Sequence, residues 1–236
     1  MDRDTSPVIE MRNVSFNIQS DTIIKNFSYQ FNAGVTSALT GEIGSGKSTI
    51  LKLAAGILVP DTGDVFYRKK NIATMSRKEN LSFRRESAFV FQNSALWANQ
   101  TVFQTVDLPL RLHFPDMKEQ EQKEKITNTL AMLNYQKGLD LRPDKLSMGE
   151  QKLIGFARGI ICCPDLLFLD EWIESLDDSS ADRLLDIVKK YKAEHKTIIF
   201  VSHDISLVKA LADCILIINN GELSRVIGSS AAENHQ

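Results

Sequence analysis

The sequence predicts an α/β fold, a mostly parallel sheet with an N-terminal antiparallel β subdomain and an inserted α-helical subdomain. Three observations predict it. Short apolar β-rich runs alternate with helical runs between residues 35 and 58 and again between 164 and 213, the order that builds a parallel sheet with helices on its faces. Two loosely alternating segments fill the first thirty residues, as half-buried antiparallel strands do. The stretch from about 95 to 151 carries helical spacing only, so it interrupts the alternation.

Taken in order, residues 8–16 (VIEMRNVSF) and 23–31 (IIKNFSYQF) read as the antiparallel strands, the second ending at a turn over Asn32–Gly34. Residues 35–41 (VTSALTG) are a β-rich run feeding a glycine loop, and 47–58 are helical, with Ile50, Leu51 and Leu53 apolar. A Pro/Asp/Gly turn and a short strand occupy 59–67. Two helices follow, at 101–113 and 117–135. The charged face of the second, with Asp116–Lys125, reads as solvated, opposite Ile126, Leu130 and Leu133. A third begins at Ser147, an N-cap that forms a capping box with Glu150. Residues 164–171 (PDLLFLDE) and 196–204 (KTIIFVSHD) are buried strands. The helix between them, at 178–194, has Asp178 or Ser179 at its cap. A last helix spans 205–213, and 214–228 is a hairpin turning at Asn220-Gly221.

A chain of 236 residues is long for one compact core and short for two full domains. This favours one domain over 8–228, its core at about 8–94 and 152–228, its helical lobe at about 95–151, and a polar tail at 229–236. The net charge of −2 supplies no basic field, so nucleic acid is not expected as a partner. The three cysteines, Cys162, Cys163 and Cys214, have neither disulfide nor zinc spacing and read as buried free thiols of a reducing compartment. The first ten residues lack a signal-peptide core, and no apolar run reaches the roughly 20 residues a membrane helix needs.

The strongest local motif is GEIGSGKST: Gly41, Glu42, Ile43, Gly44, Ser45, Gly46, Lys47, Ser48 and Thr49. Between a β-rich run and a helix, this is a phosphate loop. Its small residues let backbone N–H groups face a nucleotide's phosphates, with Lys47 on the β/γ-phosphates and the Ser48 hydroxyl on Mg²⁺. Asp170 and Glu171 end an apolar strand, where adjacent acids suit a magnesium–nucleotide site better than a sheet. Asp170 is placed toward the metal and Glu171 toward the attacking water. His203 ends the next apolar strand at the end where parallel sheets bind ligands, while His113, His195 and His235 read as surface. Gln92 follows another apolar run directly before the insert, where its amide carbonyl can ligate Mg²⁺.

These pieces, in this order, resemble the nucleotide-binding domain of ATP-binding cassette (ABC) proteins, whose core has the P-loop NTPase fold. Residues 146–150 (LSMGE) resemble the family's LSGGQ signature, Gln92 its Q-loop, Glu174–Asp177 its D-loop and His203 its switch histidine. The resemblance implies ATP and Mg²⁺ as cofactors and a head-to-tail dimer, homodimer or cassette heterodimer. In that dimer Ser147, Gly149 and Glu150 contact ATP held by the other subunit. It further implies Glu171 as general base, His203 as γ-phosphate switch, and Ser48, Gln92 and Asp170 around the metal. A single cassette without a membrane span resembles a transporter subunit working with integral permease subunits on the inner face of the cytoplasmic membrane. The segment after Gln92, residues 93–113, resembles the ATPases of Mce-type lipid-trafficking systems, which implies a lipid cargo and a lipid-binding Mce-type subunit; the alternative is the ATPase of another importer or exporter class.

Several positions depart from the family pattern. Met148 stands for Gly, Glu150 for Gln, Gln151-Lys152-Leu153 for the Arg-rich helix start, and Trp172 for Pro. Met148 and Glu150 predict a weaker or slower contact to the partner's ATP, Glu150 by adding a like charge near phosphate. The adenine-stacking aromatic aligns near Ile18, with Phe16 as substitute. Leu96 and Trp97 suit either a permease-docking groove or lobe core. A second class of reading, a regulatory module that binds ATP and hydrolyses little, is motivated by the altered signature.

Overall fold

The computed structural model describes residues 7–228; the polar tail expected at 229–236, with His235, lies outside the described residues. Strands β1 (Pro7–Ile18), β2 (Asp21–Asn32), β4 (Thr62–Tyr67) and β5 (Lys70–Asn71) form an antiparallel sheet in the order β2-β1-β4-β5. The other strands are β3 (Thr36–Thr40), β6 (Ser87–Val90), β7 (Leu166–Asp170), β8 (Thr197–Val201), β9 (Cys214–Asn219) and β10 (Glu222–Gly228). They form a second sheet, β10-β9-β3-β8-β7-β6, in which only β10 is antiparallel. The expected α/β class, with its antiparallel subdomain and helical insert, is the fold observed.

Strands β7 and β8 are buried along their whole length, because this sheet is covered on both faces. Leu167, Leu169, Ile198 and Phe200 point into one core, shared with the helical lobe, while Leu166, Phe168, Ile199 and Val201 point into another, shared with the antiparallel sheet. The carboxyl ends of β3, β7 and β8 therefore emerge side by side, and the loops that follow them build the site. Asn220 and Gly221, with φ of 48° and 81°, make the expected β9–β10 turn.

Helix α1 (Lys47–Ala54) follows β3. Helix α2 (Arg77–Glu86) was not expected. Phe83 is its only buried residue, so no apolar period announces it, although Ser76 and Glu79 form a complete capping box. The lobe contains α3 (Val102–His113) and α4 (Glu119–Met132), whose Ile126 and Leu130 face inward as expected, with Leu133 buried at its end. Helix α5 (Met148–Ile160) runs through residues 151 and 152, where the lobe was expected to give way to the core, and packs on both α3 and β6. Helix α6 (Asp178–Ala193) is capped one residue earlier than expected, because the Asp177 carboxylate accepts from the Ser180 N–H; α7 (Ile205–Leu211) follows β8.

Two surface-class expectations change. Only Cys214 is fully buried; Cys162 is half-buried, its thiol pushed up to about 11 by burial, and Cys163 is exposed. His113 is half-buried, its Nδ1 enclosed without a hydrogen-bond partner, and burial pushes its pKa down. The lobe's packing against α2 and β6 produces both enclosures, which residue type does not reveal. Leu96 packs on the lobe core, whereas Trp97 is 51% exposed.

Candidate nucleotide site

The loop joining β3 to α1 is shaped by its glycines. Gly41 has φ 139°, and a Cβ there would meet the Ile218 carbonyl oxygen at 2.0 Å. Gly46, at φ 95°, N-caps α1 without a side-chain hydrogen bond, so no capping side chain covers the helix's first-turn N–H groups. A Cβ on Gly44 would meet nothing within 4 Å, which leaves that side of the loop open to a ligand. Glu42 and Ile43 are exposed and Ser45 is buried; Thr49 is half-buried within α1. The Lys47 ammonium is curled under the loop, donating to the carbonyls of Gly41 (3.0 Å) and Glu42 (2.6 Å). Burial pushes its pKa down against the pull of Glu171 and Asp170.

Across the loop, the Ser48 hydroxyl donates to Asp170 Oδ1 at 2.7 Å. Asp170 is only 2% exposed, and burial raises its pKa against that hydrogen bond. Glu171 follows in the left-handed region, at φ 44°, which turns its side chain out of the strand direction. One carboxylate oxygen lies 2.6 Å from His203 Nε2 and the other accepts from Gln92 Nε2 at 2.7 Å. Burial raises the Glu171 pKa, the neighbouring Glu174 carboxylate adds to this, and His203 opposes it. Gln92 also donates to Glu174 at 3.0 Å, and that bond is the largest cause of Glu174's lowered pKa.

The signature segment stands apart. Ser147 and Glu150 form the expected capping box, the Glu150 N–H donating to Ser147 Oγ at 3.2 Å and the Ser147 N–H to Glu150 at 2.8 Å. Lys137 sits 2.9 Å from the Glu150 carboxylate, so the charge expected to oppose phosphate is paired within the chain. Met148 is 71% exposed. A Cβ on Gly149 would make only ordinary contact with Leu176 among the described residues. Among the described residues, no hydrogen bond or ion pair joins 146–150 to the phosphate loop, Asp170, Glu171 or His203.

Two basic residues of α5 that no sequence motif marks hold the loops beside Glu171 and Gln92. Lys152 donates to the main-chain carbonyl of Glu174, and Arg158 forks onto the carbonyls of Ala95 (2.7 Å) and Ser94 (2.9 Å), just after Gln92. Their partners are main-chain oxygens, which every residue has, so the sequence offered no signal beyond an unusual lysine at 152. Trp172 is buried against Phe200, their rings 5.5 Å apart; Phe16 and Ile18 lie on β1, with Ile18 exposed.

The donor set fits a magnesium nucleotide. Ser48 and Asp170 offer hard oxygens side by side, and Gln92, its amide nitrogen turned to the carboxylates, keeps a carbonyl oxygen for the same use. No three His, Cys, Asp or Glu side chains gather to hold a metal by themselves among the described residues. A profile of the ABC transporter family matches residues 24–174, well over half of the chain. The chain belongs to the ABC transporter family.

It is therefore an ABC ATPase domain. Among its relatives, the methionine import ATP-binding protein MetN of Chlamydia pneumoniae is 27% identical over 96% of this chain and 67% of its own length. MetN of Chlamydia caviae is 31% identical over 93% and 65%. The nickel import ATP-binding protein NikE of Shigella flexneri serotype 5b is 31% identical over 87% and 78%. The cassette thus spans about two thirds of the length of these methionine-import relatives. Its fold matches the dimeric structure of the ABC transporter cassette MJ0796, with TM-score 0.86 and 24% identity over 93% of this chain and 98% of that one. The post-hydrolysis dimer of MJ0796 with ADP and Pi gives 0.85. No helix among the described residues is long and apolar enough to cross a membrane.

Proposed function

We propose that this cassette is the ATP-hydrolysing subunit of a membrane transporter, and that it works as a head-to-tail dimer around two ATP. The observation that carries the reading is the Glu171 carboxylate, held between His203 and Gln92 beside the Ser48–Asp170 pair. Bound Mg²⁺-ATP supplies the phosphoanhydride whose cleavage does the work. Gly41–Thr49 cradle the phosphates, with the uncapped α1 N–H groups and the Lys47 ammonium as donors. Ser48, Gln92 and Asp170 hold the metal. Glu171 takes the proton of the attacking water, which its raised pKa favours, and His203 orients that carboxylate and reports on the γ-phosphate.

Ser147, Gly149 and Glu150 supply the partner copy's site. Among the described residues, this helix tip makes no hydrogen bond to the phosphate loop and a Cβ at Gly149 would meet only Leu176, which supports that assignment. The partner is a second copy or a related cassette. The permease is a separate integral protein, which places the cassette on the cytoplasmic face. Import of a small solute is supported by the methionine- and nickel-import relatives. Lipid trafficking with a Mce-type subunit is supported by residues 93–113 alone. Purification from native membranes separates these cargo readings by the integral proteins recovered.

The decisive measurement is ATP turnover by the wild type and Glu171→Gln, with and without the permease. The variant is expected to bind ATP and to lose about 10²- to 10⁴-fold in turnover. Wild-type turnover no faster than the variant in both settings would refute the motor and favour the regulatory module that Met148 and Glu150 suggest.

A further inference from the structure

The loop after β7, residues 171–176, carries Glu171 and is strained. Glu171 and Ser175 both lie in the left-handed region, at φ 44° and 62°, with no glycine to relieve either. Such a turn persists only where its surroundings over-determine it. Its side chains are held by His203 and Gln92, and the Glu171 N–H donates to the Val201 carbonyl at 3.2 Å, but its carbonyls are held from a different direction, by a lysine the hydrolytic reading leaves unused.

Lys152 lies in the second turn of α5, only 8% exposed, among the buried Leu153, Ile154 and Phe156. A position so enclosed ordinarily takes an apolar side chain, because a buried ammonium is costly unless it is paired. Here Nζ donates to the Glu174 carbonyl and lies 3.4 Å from the Glu171 carbonyl, so it bridges both ends of the tight turn. The Glu171 carbonyl also accepts from the Glu174 N–H at 3.3 Å. The Glu174 and Glu171 carboxylates offset part of the cost of burying the cation.

We propose that Lys152 is a positioning residue for ATP hydrolysis: by tying the carbonyls of Glu171 and Glu174 to α5, it keeps the Glu171 carboxylate at His203 and Gln92. The inference rests on Glu171 acting as the base. Because Ser147 opens the same helix, the tie also links the tip that serves the partner copy's nucleotide to the base of the chain's own site.

Trp172 provides a readout that needs no turnover. It is 1% exposed within the tied loop, and in a Trp97→Phe background it is the sole tryptophan. Lys152→Met keeps length and bulk but has no donor, and Lys152→Gln keeps a shorter donor. With Lys152→Met, kcat is expected to fall about tenfold or more while KM stays within about twofold. Acrylamide quenching of Trp172 is expected to rise at least about twofold. Lys152→Gln is expected between wild type and Met in both readouts; should Met not fold, Lys152→Gln is read against wild type alone, and a lower kcat together with higher quenching supports the tie. The proposal is overturned if either folded variant matches wild type in kcat and quenching, or if kcat falls without a change in quenching. A wild type that does not hydrolyse ATP would refute the proposed function, while the quenching series would still test the tie itself.

Discussion

Replacing Arg158 with methionine tests how the linker behind Gln92 is held. Arg158 Nη1 donates to the Ala95 carbonyl at 2.7 Å and Nη2 to the Ser94 carbonyl at 2.9 Å. Both acceptors belong to left-handed residues, at φ 46° and 62°, and α5 approaches so closely that a Cβ on Gly155 would lie 3.1 Å from Ser94. Hydrogen bonds from a charged donor contribute about 1.5–3 kcal/mol each. Methionine forfeits two, but it also removes the cost of burying a guanidinium, the burial that pushes Arg158's pKa down. The net loss is about 3 kcal/mol. In a chain of this size each kcal/mol moves Tm by about 2–4 °C, so Arg158→Met should melt about 6–12 °C lower by circular dichroism. Turnover should fall further than nucleotide affinity, because the freed linker no longer steadies Gln92 at 2.7 Å from Glu171. A Tm within about 2 °C of wild type would refute the reasoning, since it would mean that the fork contributes no more than an exposed contact.

Gly41→Ala should abolish binding of a fluorescent ATP analogue and lower Tm, because its Cβ would sit 2.0 Å from the Ile218 carbonyl oxygen; wild-type affinity in a stable variant would contradict this. Glu150 has a pKa lowered first by Lys137 and then by the Ser147 contacts. Its folded pKa lies below its unfolded one, so its contribution is present above the ordinary carboxylate range and is lost as pH falls through the depressed value. Acid titrations of stability should therefore be shallower below about pH 4.3 in Glu150→Gln. Met148→Gly should raise turnover severalfold by letting the helix tip approach the partner's phosphate, at a helix-propensity cost of about 1 kcal/mol. Unchanged turnover with the expected loss of stability would show that the Met148 side chain does not limit that approach.

Local pattern made much of this cassette legible. Glycine spacing announced the loop that only left-handed residues can form, and Ser147 with Glu150 announced a cap whose bonds lie within one turn. Apolar runs ending in Asp170, Glu171 and His203 located the sheet end at which these side chains meet, because buried parallel strands are apolar throughout. Helix α2 stayed hidden because it buries one residue, and the cap of α6 moved to Asp177 because several adjacent acids and serines satisfy the same rule.

What the sequence determined by itself was the chemistry available: a phosphate loop, a pair of acids, a histidine, a glutamine and a capped helix tip, in an order specific to ABC cassettes. What the tertiary structure decided was how they are held. Gln92 lies 79 positions from the glutamate it touches, Arg158 63 positions from Ala95, and Lys152 22 from the Glu174 carbonyl. Side-chain motifs are written in residue identity, whereas main-chain acceptors are the same at every position, so only the fold selects which carbonyls receive a buried cation.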